Sequence, residues 1–394
     1  MSKKVGENFC VIPWMHFVLD GSEVLPCCRM YGRFSPEPLK KDLKESLNTD
    51  SFQNIRQNFL ENRPPNECLE CFKCESAGLL SRRNKYNVAY KEVIEEVEKN
   101  PSVTITEKDI RYADLRFSNK CNLSCRTCGP YFSTAWNKDA LELGQIKNPI
   151  INTINKSMIP DLDNCHSFYF AGGEPLLEKE HSYYLTKLTE RNDCSDITLR
   201  YNSNLDIKKI ENFVEHWRKF KKVIIFASID HIEKEKAEYI RDKCNWINVL
   251  NNLYLIQKLK GNIELNIQVT VSIFNVYDLP DIVDYFLYKL KLSPMLIELS
   301  LLQEPEIFSV RLLPDELKEK LTEKMKSYSI LRLQEFNLDK EIMYLISNIK
   351  KIISYTNGSV SNEVTKNFVS KTIELDRIRN QSMLKVFPNL KQLT

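Results

Sequence analysis

The sequence has no run of eighteen apolar residues, so no membrane-spanning helix is expected. Its opening residues, "MSKKVGENFC", place no apolar stretch behind their charges. A secretory signal is therefore not expected, and a cytoplasmic location is. An excess of one charge is also missing. Lys and Arg number 56 against 53 Asp and Glu, a net charge of +3. That balance gives no electrostatic case for a nucleic-acid partner and describes a solvated, mixed-charge surface. Glycine is scarce, with 10 residues, and no internal repeat or low-complexity tract appears.

What is present is a large apolar fraction and a surplus of cysteine. Hydrophobic residues make up 42% and aromatics 10% of 394 residues, enough for two or three domains with sizeable cores. There are 12 cysteines. In a reducing compartment they are not expected to pair as disulfides, which leaves metal binding or catalysis. Cys10, Cys27, Cys28, Cys68, Cys71 and Cys74 fall in the first eighty residues, and Cys121, Cys125 and Cys128 form a tight triplet. Cys165, Cys194 and Cys244 stand alone and read as small core residues.

The chain divides into four stretches. Residues 1–82 are cysteine-rich and turn-rich, and 83–109 read as a connecting helix around "KYNVAYKEVIEEVEKN". From 110 to 305 short apolar runs alternate with helical stretches: "ADLRFS", "SFYFAGG", "ITLRYNSN", "VIIFASID", "IELNIQVTVSI" and "MLIELSLL". Helices are expected near 133–157, 178–192, 206–220, 233–259 and 277–290. Strands alternating with helices predict an α/β fold of parallel βαβ units, six of them in a curved or closed sheet. Ligands then gather at the strands' C-terminal ends. Residues 306–394 are expected to be mainly helical, with a turn at "TNGS" (356–359).

"FSNKCNLSCRTCGP" (117–130) spaces its cysteines C-x3-C-x2-C. Cubane iron–sulfur clusters and structural zinc sites both ordinarily close with four ligands. Three thiolates would leave one iron of a cubane open to a small molecule; a distant fourth ligand would make the site structural instead. The triplet resembles the signature of the radical SAM enzymes. Four later stretches follow in that family's order: "FAGGEPLL" (170–177), "RYNSNL" (200–205), "FASID" (226–230) and "YIRDKCNW" (239–246). The resemblance covers roughly residues 110–302. It implies a partial (β/α)6 TIM-type barrel and a [4Fe–4S] cluster on Cys121, Cys125 and Cys128. It also implies that S-adenosylmethionine (SAM) chelates the open iron, with Gly172, Gly173 and Glu174 at its amine. Asn202 or Asn204 corresponds to the third-strand position, and Ser228, Asp230 and Arg241 would meet the ribose and carboxylate. Thr127 stands where the family often has an aromatic residue, so adenine contact would fall to Tyr131 or the backbone. The implied reaction is one-electron cleavage of SAM, with the resulting 5′-deoxyadenosyl radical removing a substrate hydrogen.

"FCVIPWMHFVLDGSEVLPCC" (9–28) reads as a hairpin about Asp20-Gly21 that brings Cys10 towards Cys27 or Cys28. "ECLECFKCESAG" (67–78) adds C-x2-C-x2-C. Alone, this block suits zinc or an iron–sulfur cluster equally. It is similar to the twitch module that carries an auxiliary cluster, here placed before the barrel as in N-terminal-twitch radical SAM proteins. "IELDRIRNQSMLKVFPNL" (373–390) resembles the end of that family. The resemblance implies an auxiliary [4Fe–4S] cluster on Cys10, Cys28, Cys71 and Cys74, with Cys27 open in place of Cys28 and Cys68 in place of Cys71. His16, beside Trp14, reads as a satisfied histidine. The substrate implied is a peptide, to be oxidised, epimerised or cross-linked, or else a sugar or small polar metabolite. A flavodoxin or ferredoxin would be the electron donor. The competing class is a non-catalytic zinc or iron–sulfur scaffold.

Overall fold

The computed structural model describes residues 4–76 and 80–393. Ala77 and Gly78, which end the second cysteine stretch, lie outside the described residues. Among the described residues there are eleven strands: β1 (His16–Asp20), β2 (Glu23–Leu25), β3 (Glu37–Pro38), β4 (Tyr112–Arg116), β5 (Ser124–Cys125), β6 (Ser167–Phe170), β7 (Thr198–Ser203), β8 (Lys222–Ser228), β9 (Arg241–Asp242), β10 (Ile263–Val271) and β11 (Ile297–Leu301). The chain forms two compact units. The first comprises residues to Asn119, Asn152–Tyr201 and Lys219–Lys222; the second comprises Lys120–Ile151, Asn202–Arg218 and everything from Val223 on.

In the first unit the expected hairpin forms. Asp20 pairs with Glu23 across Gly21 and Ser22. Gly21 sits at φ +58°, where a side chain is strained and glycine is not. Strand β1 also pairs in parallel with β4, Val18 opposite Asp114. Strands β4, β6 and β7 continue in parallel, with Asp114, Tyr169 and Arg200 in one cross-strand row. Phe168 and Phe170 point to the other face, where Tyr184 of the helix Lys179–Thr189 meets both rings, the centroids 5.8 and 6.5 Å away. Each such ring contributes roughly 2–3 kcal/mol by leaving water. The helix Asp50–Leu60 buries Phe52, Ile55 and Phe59, the 3–4 spacing of a single apolar stripe. Where one connecting helix is expected there are two, Arg82–Ala89 and Lys91–Lys99. Ser81 and Asn84 cap the first with a capping box, and the backbone leaves helical geometry at Tyr90 (φ −126°, ψ 47°).

In the second unit β8, β10 and β11 run in parallel, with Val223 opposite Ile263 and Ile267 opposite Ile297. The helix expected over 133–157 shrinks to Asn137–Glu142 after a short turn; Gly144 at φ +64° breaks it. The helix expected over 233–259 is two, Lys234–Ile240 and Trp246–Lys258. Between them β9 pairs antiparallel with β5, and Lys243 turns the chain at φ +69°. That tertiary pairing overrides a locally helical sequence. After 312 the chain is helical as expected, with Asp315–Glu335, Lys340–Thr356 and Asn362–Arg379. The middle helix buries Ile342, Leu345, Ile346, Ile349 and Ile353.

Strands β4, β6, β7, β8, β10 and β11 thus alternate along the chain with helical segments. This mixed α/β architecture with parallel strands is the one expected, in the strand–helix order of a partial TIM-type barrel. No helix among the described residues is long and apolar enough to cross a membrane.

Candidate functional site

The triplet lies in the second unit, on the loop carrying β5. Ser124 and Cys125 are fixed by their pairing with Asp242 and Arg241. The Arg126 amide donates to the Ile240 carbonyl (2.8 Å), and the Cys128 amide closes a turn onto the Cys125 carbonyl (3.0 Å). Trp136 Nε1 donates to the Cys125 carbonyl (2.8 Å), and Ser133 Oγ to the Leu123 carbonyl (2.6 Å). The backbone here is therefore held by its own turn and by residues 133–136 and 240–242.

N–H groups face two of the three sulfurs. The Leu123 amide lies 3.5 Å and Asn204 Nδ2 3.8 Å from Cys121 Sγ. Arg241 Nη1 lies 4.0 Å from Cys125 Sγ. Burial pushes the Cys125 thiol up, and Arg241 partly offsets it. Burial pushes Cys128 up to about 12. Thiols so buried do not ionise at neutral pH without a cation, and a bound metal deprotonates them. Cys244, buried in the turn after β9, also interacts electrostatically with Cys125, and burial raises it to about 12.

Of the two asparagines proposed for one role, Asn204 stands at Cys121 and donates to Asn122 Oδ1 (2.9 Å). Asn202 donates to Gln268 Oε1 (3.2 Å) on β10 instead. Gln268 is the register partner of both Ser228 and Glu298, so a polar row runs across this face of the sheet. Asp230 is buried just beyond β8. Its carboxylate meets Arg241 Nη2 at 2.8 Å and accepts the Thr270 amide at 2.9 Å. Arg241, expected to meet a ligand carboxylate, thus already has a carboxylate partner. Tyr131 is 68% exposed.

Gly172, Gly173 and Glu174 belong to the first unit. Gly172 sits at φ +111°, and a Cβ there would come within 2.7 Å of the Ser118 carbonyl oxygen. The Gly173 amide donates to that same oxygen (3.0 Å). Glu174 is buried, and its carboxylate accepts the Leu176 amide (3.2 Å), capping the turn Pro175–Leu177. Ser118 Oγ donates to Glu178 (2.8 Å). The segment leading to the triplet is thereby pinned from the glycine turn.

The N-terminal cysteines occupy the first unit. Cys10, Cys27, Cys68 and Cys71 line one cavity with Ile12, Met30, Phe59 and Arg83. Cys28 and Cys74 are not among its lining residues. Burial pushes Cys10 up to about 12 and raises Cys68 as well. Cys28 is drawn down to about 6, first by a hydrogen bond from Cys27 and then, against burial, by Arg82. The Nε and Nη2 atoms of Arg82 are buried with no hydrogen-bond partner, its guanidinium 4.8 Å from the centre of the Tyr86 ring. His16 is buried, its Nδ1 on the Tyr112 carbonyl (3.0 Å) and its ring stacked on Tyr112.

Several residues of these sites went unremarked in the sequence, Gln268, Arg126 and Asp242 among them. Gln268 had a signal, the alternation in "IQVTV". Arg126 and Asp242 had none, because only the folded chain shows what they meet.

No protein-family profile matches the sequence. Among solved structures, the chain is similar to native anSMEcpe with bound AdoMet, at 19% identity and a TM-score of 0.42, over 57% of this chain and 61% of that one. It therefore spans less than two thirds of that protein's length. It is also similar to SuiB of Streptococcus suis bound to S-adenosylmethionine, at 15% identity and a TM-score of 0.36, over 84% and 71% of the two chains. A SuiB structure with its precursor peptide SuiA matches at 15% identity and a TM-score of 0.36.

Proposed function

We propose that this chain is a radical SAM enzyme with an auxiliary cluster in its N-terminal block. The observation that carries this is the triplet loop. It presents three thiols, with N–H donors from Asn204, Arg241 and the Leu123 amide aimed at two of their sulfurs. Such donors are the outer support that cluster thiolates use. Cys121, Cys125 and Cys128 would hold a [4Fe–4S] cluster with one open position. When bound, cluster and SAM supply reductive cleavage and the radical that removes a substrate hydrogen.

The chain's own residues bind and orient. Gly172 leaves room for close backbone approach where any side chain would strike Ser118. Ser228, Asn202 and Gln268 offer hydrogen bonds for hydroxyls on the polar row. Arg241 neutralises Asp230 and stands by Cys125.

For the auxiliary group the cavity favours Cys10, Cys27, Cys68 and Cys71 as ligands. The unpartnered donors of Arg82 suit a neighbouring anionic thiolate centre. Resemblance to the twitch-bearing subgroup supports a peptide substrate, with flavodoxin or ferredoxin as electron donor.

The test is anaerobic purification with iron and sulfide counts. About eight irons per chain are expected for two full clusters. Replacing Cys121, Cys125 and Cys128 together with Ala should leave about four and abolish reductive SAM cleavage. A colourless, zinc-loaded protein, or cleavage that survives the triple change, would sink the proposal.

A further inference from the structure

Arg126 lies inside the triplet, between Cys125 and Cys128, and is 1% exposed. A buried guanidinium needs partners for its donors. Its Nε donates to the Tyr239 carbonyl (3.1 Å). Its Nη2 donates to Asp376 Oδ1 (2.5 Å) and Gln381 Oε1 (2.7 Å). The guanidinium also lies 3.6 Å from the centre of the Tyr239 ring, and the Tyr239 hydroxyl donates to Asp376 Oδ1 (2.9 Å). Two partners of a residue in the metal-binding loop thus come from 250 and 255 positions further along the chain.

The same C-terminal segment reaches the rest of the loop. Gln381 Nε2 donates to Asp242 Oδ1 (3.0 Å), and Asp242 Oδ2 accepts from Ser124 Oγ (2.7 Å). Arg379 pairs with Asp139 (2.8 Å), and its guanidinium lies 4.7 Å from the centre of the Trp136 ring. Trp136 in turn holds the Cys125 carbonyl. The geometry has a local cause. The helix Asn362–Arg379 ends at Asn380, which is left-handed (φ 52°, ψ 46°), as helix ends commonly are. The Gln381 amide then bonds back to the Asp376 carbonyl (2.9 Å), which sets Asp376 and Gln381 side by side at Arg126.

We infer that Asp376, Arg379 and Gln381 are positioning residues of the cysteine triplet, a C-terminal clasp that holds its loop in the metal-binding shape. The inference rests on the reading of the triplet as an iron–sulfur site. Residues that orient metal ligands through other groups typically change metal affinity 10–100-fold when removed. Opposite charges also make the clasp specific. Losing Asp376 leaves Arg126 buried with its charge uncompensated, whereas losing Gln381 removes only a neutral partner.

The test compares iron release to a chelator from the reconstituted full chain and its variants. Triplet iron is taken as the part absent from the Cys121/Cys125/Cys128→Ala protein. Gln381→Ala and Asp376→Asn should release triplet iron at least about tenfold faster than the unaltered chain. Ile373→Ala, an exposed position on the same helix, should release it at the unaltered rate. Thermal melting of the metal-free proteins separates a clasp from general damage. If Asp376→Asn does not fold, Gln381→Ala carries the test alone. Release from Gln381→Ala at the unaltered rate would overturn the clasp. Release speeded equally in Ile373→Ala, or only in step with a lowered melting temperature, would do the same. An unaltered chain with no triplet iron would overturn the site reading itself.

Discussion

Asp230 and Arg241 are the most consequential pair at the scale of single residues. The pair is nearly dry, with side chains 2% and 14% exposed. Two charges so buried depend on each other. Asp230→Ala should cost about 3–5 kcal/mol in denaturant unfolding, because Arg241 stays buried without its partner. A cost near zero would show that the two are solvated. Cys244 permits a sharper check. Its thiol feels the charge of Cys125, which makes it a candidate fourth thiolate for a closed site. Cys244→Ala should keep the full iron count, and loss of about four irons would favour a structural site. Glu178 gives a pH prediction. Burial raises its carboxyl from 4.5 to about 9; the Ser118 hydrogen bond opposes this, and Glu174 and Glu180 add to it. The folded pKa lies above the unfolded one, so the protein binds more protons when folded. Stability is then greatest below about pH 4.5, as far as this group is concerned, and falls as pH rises towards 9. Melting between pH 6 and 9 should fall less in Glu178→Gln, which cannot ionise. At this scale residue type alone singles out the cysteines as candidates, and the chemistry proposed for them starts from that. The sequence was opaque for Arg126 and Gln381, ordinary polar residues whose roles come from a contact 255 positions apart.

Elements position these residues, and the turn after β6 shows how. Gly172 occupies a φ that L-residues rarely adopt, against the Ser118 carbonyl. Gly172→Ala should cost roughly 1–3 kcal/mol in backbone strain and displace the segment entering the triplet. The readout is denaturant unfolding together with SAM binding, and unchanged values in both would remove the glycine from the account. Strand and helix identities in this part of the chain were readable from alternation such as "SFYF" and "VIIFAS". The largest error has a long-range cause. Over 233–259 the local sequence favours helix, but β9 is extracted from it by pairing with β5. No local pattern records a partner more than a hundred residues away. The N-terminal hairpin was legible from Asp20-Gly21, whereas its parallel pairing with β4 was not, since pairing partners leave no mark in period-2 alternation.

For the whole molecule, the organising fact is two groups of cysteines in two compact units. The triplet belongs to the second, supported by outer donors, and the N-terminal cysteines belong to the first, four of them around one cavity. In the proposed function the six further cysteines serve a site of their own and leave the triplet open. Cys68→Ala with Cys71→Ala should therefore remove about four irons of eight and leave the triplet's cluster in place. The most direct measurement follows from that variant, reduced anaerobically and followed by electron paramagnetic resonance as SAM is added. The account predicts a [4Fe–4S] signal whose g-values shift on addition of SAM, because the open iron gains a ligand, followed by release of 5′-deoxyadenosine. A signal unmoved by SAM, with no cleavage product, would contradict it.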